Sequence, residues 1–271
     1  GLATAAREPA RALALTSAGG ISLGDALARA GIAAARIGRD DETLCRVGAF
    51  IELHIEQGRG LVDLDAAVGI ASGIWPHGRW HFSFSGRPDH AGTTRLADRH
   101  DPVLSFAATA LAARQHAERA GALATFGRVL VNPNATNGVA ARVDAWLDAR
   151  AAGQHTLDTL VDNIERTARQ RTDADRVEFA VDAESLTPAV DFDHDVRALL
   201  RKLLGDVPEL ATGAGHGAGP GASPHPLPCG WQAGPGGGAQ YGSNATLCFA
   251  SCSTSRRRQT PRGDHTRATA S

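Results

Sequence analysis

A short period-two alternation runs through residues 50–58: Ile51, Leu53 and Ile55 interleave with Glu52, His54 and Glu56 before Gly58. That pattern predicts a strand with one apolar face on a core and His54 and Glu56 together on the other. Gly58 lets the backbone turn and leaves Gln57 at the strand's mouth. Upstream, residues 22–32 read as a helix, with Ser22 as cap, apolar residues at helical spacing and Gly31 as stop. Downstream, residues 61–75 mix apolar residues with Gly and Ser and predict a strand running into a hinge.

Residues 76–185 switch regularly between the two periods. Strands are predicted at 80–85, 125–131, 141–147 and 177–181. One helix is predicted at 101–120, with Asp101 as cap and Pro102 in its first turn. A second is predicted at 156–171, with Leu157, Leu160, Val161 and Ile164 on one face. The order strand-helix-strand-strand-helix-strand predicts a ferredoxin-like unit, a sheet with two helices on one face. A helix at 196–204 and a short strand at 207–210 follow. From Gly213 no period is sustained. Residues 217–271 are Gly- and Pro-rich and then Arg-rich, and read as a tail without a packed core.

Composition narrows the function classes. The 271 residues are 42% hydrophobic and 21% charged, which suits one large or two small domains. A net charge of −1 gives no electrostatic case for nucleic acid or an anionic membrane. No apolar run approaches the roughly 20 residues that a membrane span needs. Cys45, Cys229, Cys248 and Cys252 have no framework spacing, so the expected compartment is a reducing cytoplasm. The chain has no Met, and its cationic residues are almost all Arg, with Lys202 an exception. The missing Met leads us to expect a fragment. A neutral imidazole on a rigid strand makes His54 a candidate zinc ligand, the alternative being a half-exposed histidine on an edge strand.

Glu52-Leu53-His54-Ile55-Glu56-Gln57-Gly58 resembles the metal-ligand segment of the M20-type amidohydrolases that cleave N-carbamoyl groups. These are the N-carbamoyl-L-amino acid hydrolases, allantoate amidohydrolases and β-ureidopropionases. Gly86-Arg87-Pro88-Asp89-His90-Ala91-Gly92-Thr93-Thr94 resembles the same family's lid-domain histidine motif, in the expected order and at about the expected separation. Asn134-Ala135-Thr136-Asn137-Gly138-Val139 and Asp148-Ala149-Arg150 resemble its Asn-containing turn and Asp-x-Arg strand end, although the family usually has a Pro-containing turn at 138–141. Gly213-Ala214-Gly215-His216 resembles the opening of a Gly-Ala-Gly-His-Asp loop, with Gly217 in place of the acid.

The resemblance implies an α/β protein: a partial zinc-peptidase-like catalytic domain with an inserted ferredoxin-like (βαββαβ) lid/dimerisation domain. Residues 1–75 would be the end of the first catalytic segment and 76–185 the lid. Residues 186–216 would start the second catalytic segment, with 217–271 an aberrant tail. It implies two Zn or Mn ions per subunit with His54 as one ligand. The other ligands cannot be placed on this chain, so the ligand set is incomplete. His90 would stabilise the oxyanion across a homodimer. Gln57, His90, Asn137, Arg150 and His216 would bind a small ureido or carbamoyl substrate bearing a carboxylate. Gln57 offers an amide that both donates and accepts, and Arg150 a guanidinium with two parallel donors.

The implied reaction is metal-dependent hydrolysis of a linear C–N bond. Allantoate comes first, because Ile74-Trp75-Pro76-His77-Gly78-Arg79-Trp80 looks like actinobacterial members so labelled, and N-carbamoyl-L-amino acids come second. The alternative is a catalytically dead fragment that keeps a dimerisation or carboxylate-binding lid. On the ligands present, the chain as written is expected to be inactive.

Overall fold

Ser22 ends a turn and starts a helix: its Oγ accepts the Asp25 N–H at 3.0 Å and donates to the Asp25 carboxylate at 2.7 Å. The computed structural model of the chain describes residues 9–17, 19–38, 49–214 and the backbone of 246–252. These residues fall into two units. In the first, α1 (Pro9–Leu13) and α2 (Leu23–Arg29) are joined by a turn that a Thr16–Ser22 bridge closes. Gly31 leaves α2 in the left-handed region (φ 72°), where a side chain would be strained.

The second unit begins within β1 (Ala49–Ile55). A single helical turn, α3 (Gly60–Asp63), then precedes β2 (Val68–Ile74). The strand expected from residue 61 therefore starts later. The cause is Glu56, whose carboxylate accepts the N–H groups of Gly60 (2.7 Å) and Leu61 (2.9 Å) and so satisfies the donors of a helical first turn.

Next come β3 (His77–Ser85), the short β4 (Asp89–His90), α4 (Pro102–Ala120), β5 (Leu123–Asn132), the short β6 (Gly138–Val139) and β7 (Arg142–Arg150). They are followed by α5 (Gln154–Asp175) and β8 (Glu178–Thr187). The order β5-β7-β3-β8 forms a four-stranded sheet in which every neighbouring pair is antiparallel. Asp101 caps α4 through a 3.0 Å bond from the Val103 N–H, and Gly121 ends it in the left-handed region.

Alternation decides which face of this sheet is covered. Trp80, Phe82 and Phe84 on β3 and Val143, Ala145 and Leu147 on β7 are buried. They pack with Leu157, Leu160, Val161 and Ile164 of α5 and with Ala113 and Ala117 of α4. Burying each large side chain contributes about 1.5–3 kcal/mol relative to exposure. Small buried residues recur every fourth position on α4 (Ser105, Thr109, Ala113, Ala117) and let it approach α5 closely. The buried hydroxyls are satisfied, since Ser105 donates to Asp175 at 2.7 Å and Thr109 to the Ser105 carbonyl at 2.8 Å.

The chain continues through β9 (Val190–Asp191), α6 (His194–Leu204) and β10 (Glu209–Thr212). β10 runs parallel to β2, while β9 pairs antiparallel with Gly73 and Ile74. β11 (Thr246–Cys252) also pairs parallel to β2, so the order is β1-β11-β2-β10. This strand lies where a tail without structure was expected; the backbone ladder to Val68, Gly69 and Ile70 is what orders it. The remainder of 217–271 lies outside the described residues. None of the described helices is long and apolar enough to cross a membrane.

Candidate active site

β1 presents its residues the other way round from the expectation. Glu52, His54 and Glu56 are half-buried, whereas Ile51, Leu53 and Ile55 are 48%, 72% and 60% exposed. No described helix makes a substantial contact with β1, so its apolar face has no described layer to bury it. The His54 ring lies half-buried with Nδ1 2.7 Å from the Ile55 carbonyl. A carbonyl only accepts, so Nδ1 carries the proton and Nε2 the lone pair, the form of imidazole that ligates a metal.

Glu56 shares the half-buried face of β1 with His54, as expected. Its carboxylate caps α3, and the glycines around it make room for that. A Cβ on Gly58 would stand 2.9 Å from Glu56 Oε1, and one on Gly60 3.2 Å from it. Gln57 is exposed in the bend between β1 and α3.

The segments that carry His90 and Asn137 meet. β4 and β6 form a two-residue ladder that pairs His90 with Gly138 and Asp89 with Val139. The Ala91 N–H donates to the Asn137 carbonyl at 2.9 Å, so His90 and Asn137 sit on one small platform with both side chains exposed. Arg99 fastens the loop by donating to the carbonyls of Ala91 (2.6 Å) and Thr94 (3.1 Å). Asp89 pairs with Arg87 at 3.0 Å rather than with His90. His90 instead accepts the Gly92 N–H on Nδ1 at 3.1 Å, which leaves its proton on Nε2.

Arg150 ends β7. Its Nε and Nη2 donate to the two Asp148 oxygens at 2.6 and 2.9 Å, and its Nη1 donates to the Gly213 carbonyl. Arg79 approaches the same carboxylate at 3.5 Å. The hydrogen bonds that Arg150 donates to Asp148 raise its pKa above the ordinary value, against the pull of burial. For Asp148, burial pushes the carboxyl up, but the bonds and charge of Arg150, with Arg79, outweigh it and hold it below the ordinary value. Thus Arg150 is neither a bare clamp nor a solvated strand-end charge. The sequence motifs contain Asp148 and Arg79 but give them no role, although strand alternation places Asp148 with Arg150 on one face and Arg79 and Asp148 are ladder partners.

The expected pair of Asn137 and Arg150 is not brought together. β3 and β7 run antiparallel, with Ser85 opposite Arg142 at one end and His77 opposite Arg150 at the other. The platform of His90 and Asn137 follows Ser85 and precedes Arg142, so it lies at the far end from Arg150. At about 3.3 Å per residue the strand separates them by roughly 25 Å. His216 lies outside the described residues.

The residues described do not make up a metal centre. His54 offers one donor, and among the described residues no group of three or more His, Cys, Asp or Glu is placed to hold an ion. A catalytic zinc needs about three protein ligands.

No family model matches the chain. An N-carbamoyl-L-amino acid amidohydrolase of Geobacillus stearothermophilus is 36% identical over 143 residues, which is 52% of this chain and 35% of that protein. The allantoate amidohydrolase of Escherichia coli K12 is 28% identical over 178 residues, 64% of this chain and 43% of that protein. A hydantoinase/carbamoylase family amidase from Burkholderia ambifaria has the same fold, with a TM-score of 0.66 at 24% identity over 93% of this chain and 58% of that one. The chain therefore spans less than half the length of these curated relatives. Over the segment that it shares with them, it is homologous to the N-carbamoyl-L-amino acid and allantoate amidohydrolases.

Proposed function

We propose that the chain is part of an amidohydrolase that cleaves a linear C–N bond in a carbamoyl or ureido compound bearing a carboxylate. Allantoate is the first choice of substrate and an N-carbamoyl-L-amino acid the second. The observation that carries this reading is the ladder of β4 and β6, which fixes an exposed imidazole and an exposed carboxamide side by side. An Nε2–H on His90 is the donor that a tetrahedral oxyanion needs, and the Asn137 amide can hold a neighbouring polar group. Arg150 supplies a guanidinium for the carboxylate. Gln57, beyond β1, would address the ureido group, and His216 the substrate loop.

The four-stranded sheet and its two helices have the strand order of a ferredoxin-like unit, and we read them as an inserted lid and dimerisation domain. Since His90 and Asn137 lie far from Arg150, one chain cannot apply all three to one small substrate. Two copies can, each lending its His90 platform to the other's Arg150. Edge strand β5, with Leu130 51% exposed, and α4, with Leu104 and Leu111 exposed, offer an apolar surface for such a homodimer. His54 Nε2 is suited to serve as one metal ligand in a Zn or Mn site, but the described residues do not complete that site. Four scattered cysteines suit a cytoplasmic setting.

A second reading, a catalytically silent fragment that retains the lid, is favoured by that single ligand. One experiment separates the two: metal content of the purified chain, with turnover of allantoate and N-carbamoyl-L-amino acids in added Mn²⁺ or Zn²⁺. Turnover that a chelator and His54→Ala both abolish supports the enzyme reading for this very chain. Little bound metal and no turnover support the fragment reading.

A further inference from the structure

A guanidinium has two edges that can each take a carboxylate with parallel bonds, one formed by Nε and Nη2 and the other by Nη1 and Nη2. In Arg150 the first edge is filled by Asp148, and the second is capped by the Gly213 carbonyl. We propose that Asp148 is a positioning residue: it grips Arg150 by the Nε edge, so that a substrate carboxylate is taken on the Nη1 edge in exchange for the Gly213 carbonyl. The inference rests on reading Arg150 as the carboxylate ligand and adds which edge binds and what it displaces.

Three observations support it. Arg79 on the neighbouring strand faces the same carboxylate, so Asp148 is held between two guanidiniums and cannot swing away without separating charges. The side chains of Arg150 and Asp148 are only 24% and 29% exposed, which keeps their geometry narrow. Gly213 follows directly on β10, and a Cβ there would lie 3.6 Å from Trp75 and 4.0 Å from Arg150 Cδ. The Gly213 peptide thus sits against the end of the lid sheet, where Arg150 alone is seen to donate to it among the described residues. Exchange of a neutral carbonyl for a carboxylate is favourable because the carboxylate adds opposite charge and a second parallel bond on that edge. Occupying the site therefore releases residues 213–214 from Arg150.

Hydrogen–deuterium exchange of the purified chain tests this, with N-carbamoylglycine as probe and N-carbamoylglycinamide as the probe lacking a carboxylate. The readouts are the amides of Gly213 and Ala214, the latter now donating to Thr212 Oγ1 at 3.0 Å. Amides of β3 and β7 report whether each variant folds. The acid is expected to raise exchange at 213–214 severalfold and the amide to leave it unchanged. Asp148→Asn places an NH₂ against a guanidinium N–H, so its exchange at 213–214 should be high before any ligand is added. Asp148→Glu should restore the dependence on ligand. Saturable binding of the acid with unchanged exchange in wild type overturns the inference and leaves Arg150 as a carboxylate ligand. An Asp148→Asn chain that behaves as wild type also overturns it. No binding of the acid to wild type overturns both this inference and the substrate reading beneath it.

Discussion

His54 and His90 both turn Nδ1 to the backbone, but to groups of opposite polarity. Nδ1 of His54 faces an acceptor, the Ile55 carbonyl at 2.7 Å, and Nδ1 of His90 faces a donor, the Gly92 N–H at 3.1 Å. The neutral rings are therefore opposite tautomers, a lone pair on Nε2 in one and a proton on Nε2 in the other. The first suits an electrophile and the second a developing oxyanion. Nitrogen-15 spectra of the ring nitrogens at pH above 8 should show Nδ1–H for His54 and Nε2–H for His90. Identical tautomers would remove the division of labour.

Gly86 sits where β3 turns into the loop that carries His90. A Cβ there would lie 2.1 Å from the His100 carbonyl and 2.7 Å from Pro102 Cδ, and the backbone cannot yield cheaply because the Arg87 N–H is bonded to that same carbonyl. Gly86→Ala should cost about 1–3 kcal/mol, the usual range for forced overpacking. Gly127 on edge strand β5 has open space around its would-be Cβ. Gly127→Ala should be neutral or stabilise by up to about 1 kcal/mol, by restricting the unfolded chain. Urea unfolding of the two variants checks the contrast, and equal losses would contradict it.

The elements of the four-stranded sheet and its two helices were legible because their periods are long and their caps are local. Asp101, Pro102 and Gly121 bracket α4, and Leu157, Leu160, Val161 and Ile164 mark one face of α5. The facing of β1 was not legible. Alternation says which residues share a face but not which face finds a layer, and Ile51, Leu53 and Ile55 find none among the described residues. The capping role of Glu56 was not legible because its partners, two backbone N–H groups four and five residues on, exist only once α3 has formed. The separation of Asn137 from Arg150 follows from strand direction, since the 9 residues of β7 become a distance only once they are known to run extended between the His90 platform and Arg150.

Two acid-induced losses of stability are expected, in different pH ranges. His116 lies between α4 and α5 with Nε2 3.2 Å from Thr167 Oγ1, and burial, then Arg119 and Arg166, hold its pKa below the ordinary 6.5. The unfolded chain then takes the proton first, so this contribution is complete above about pH 6.5 and is lost as pH falls through the folded pKa. Asp144 is held below the ordinary 3.8 by hydrogen bonds from Arg142, with burial opposing and His81 assisting. Its contribution is complete above about pH 4 and is lost below that. The urea midpoint followed against pH should fall in both ranges. His116→Gln should abolish the upper decline and leave the lower one. An upper decline that survives the substitution would assign it to another group.

Burial also separates two leucines that the sequence pattern treats alike. Leu53 on β1 is 72% exposed, whereas Leu61 in α3 is fully buried. Leu61→Ala removes a packed side chain and should cost about 2–5 kcal/mol. Leu53→Ser removes little buried area and should stay within about 0.5 kcal/mol of wild type, as surface substitutions usually do. Equilibrium unfolding at two protein concentrations a hundredfold apart measures both. A Leu53→Ser loss that matches Leu61→Ala only at the higher concentration would mean that a second copy covers the apolar face of β1 in solution. An equal loss at both concentrations would mean that the chain itself covers this face, against the exposure found at Ile51, Leu53 and Ile55.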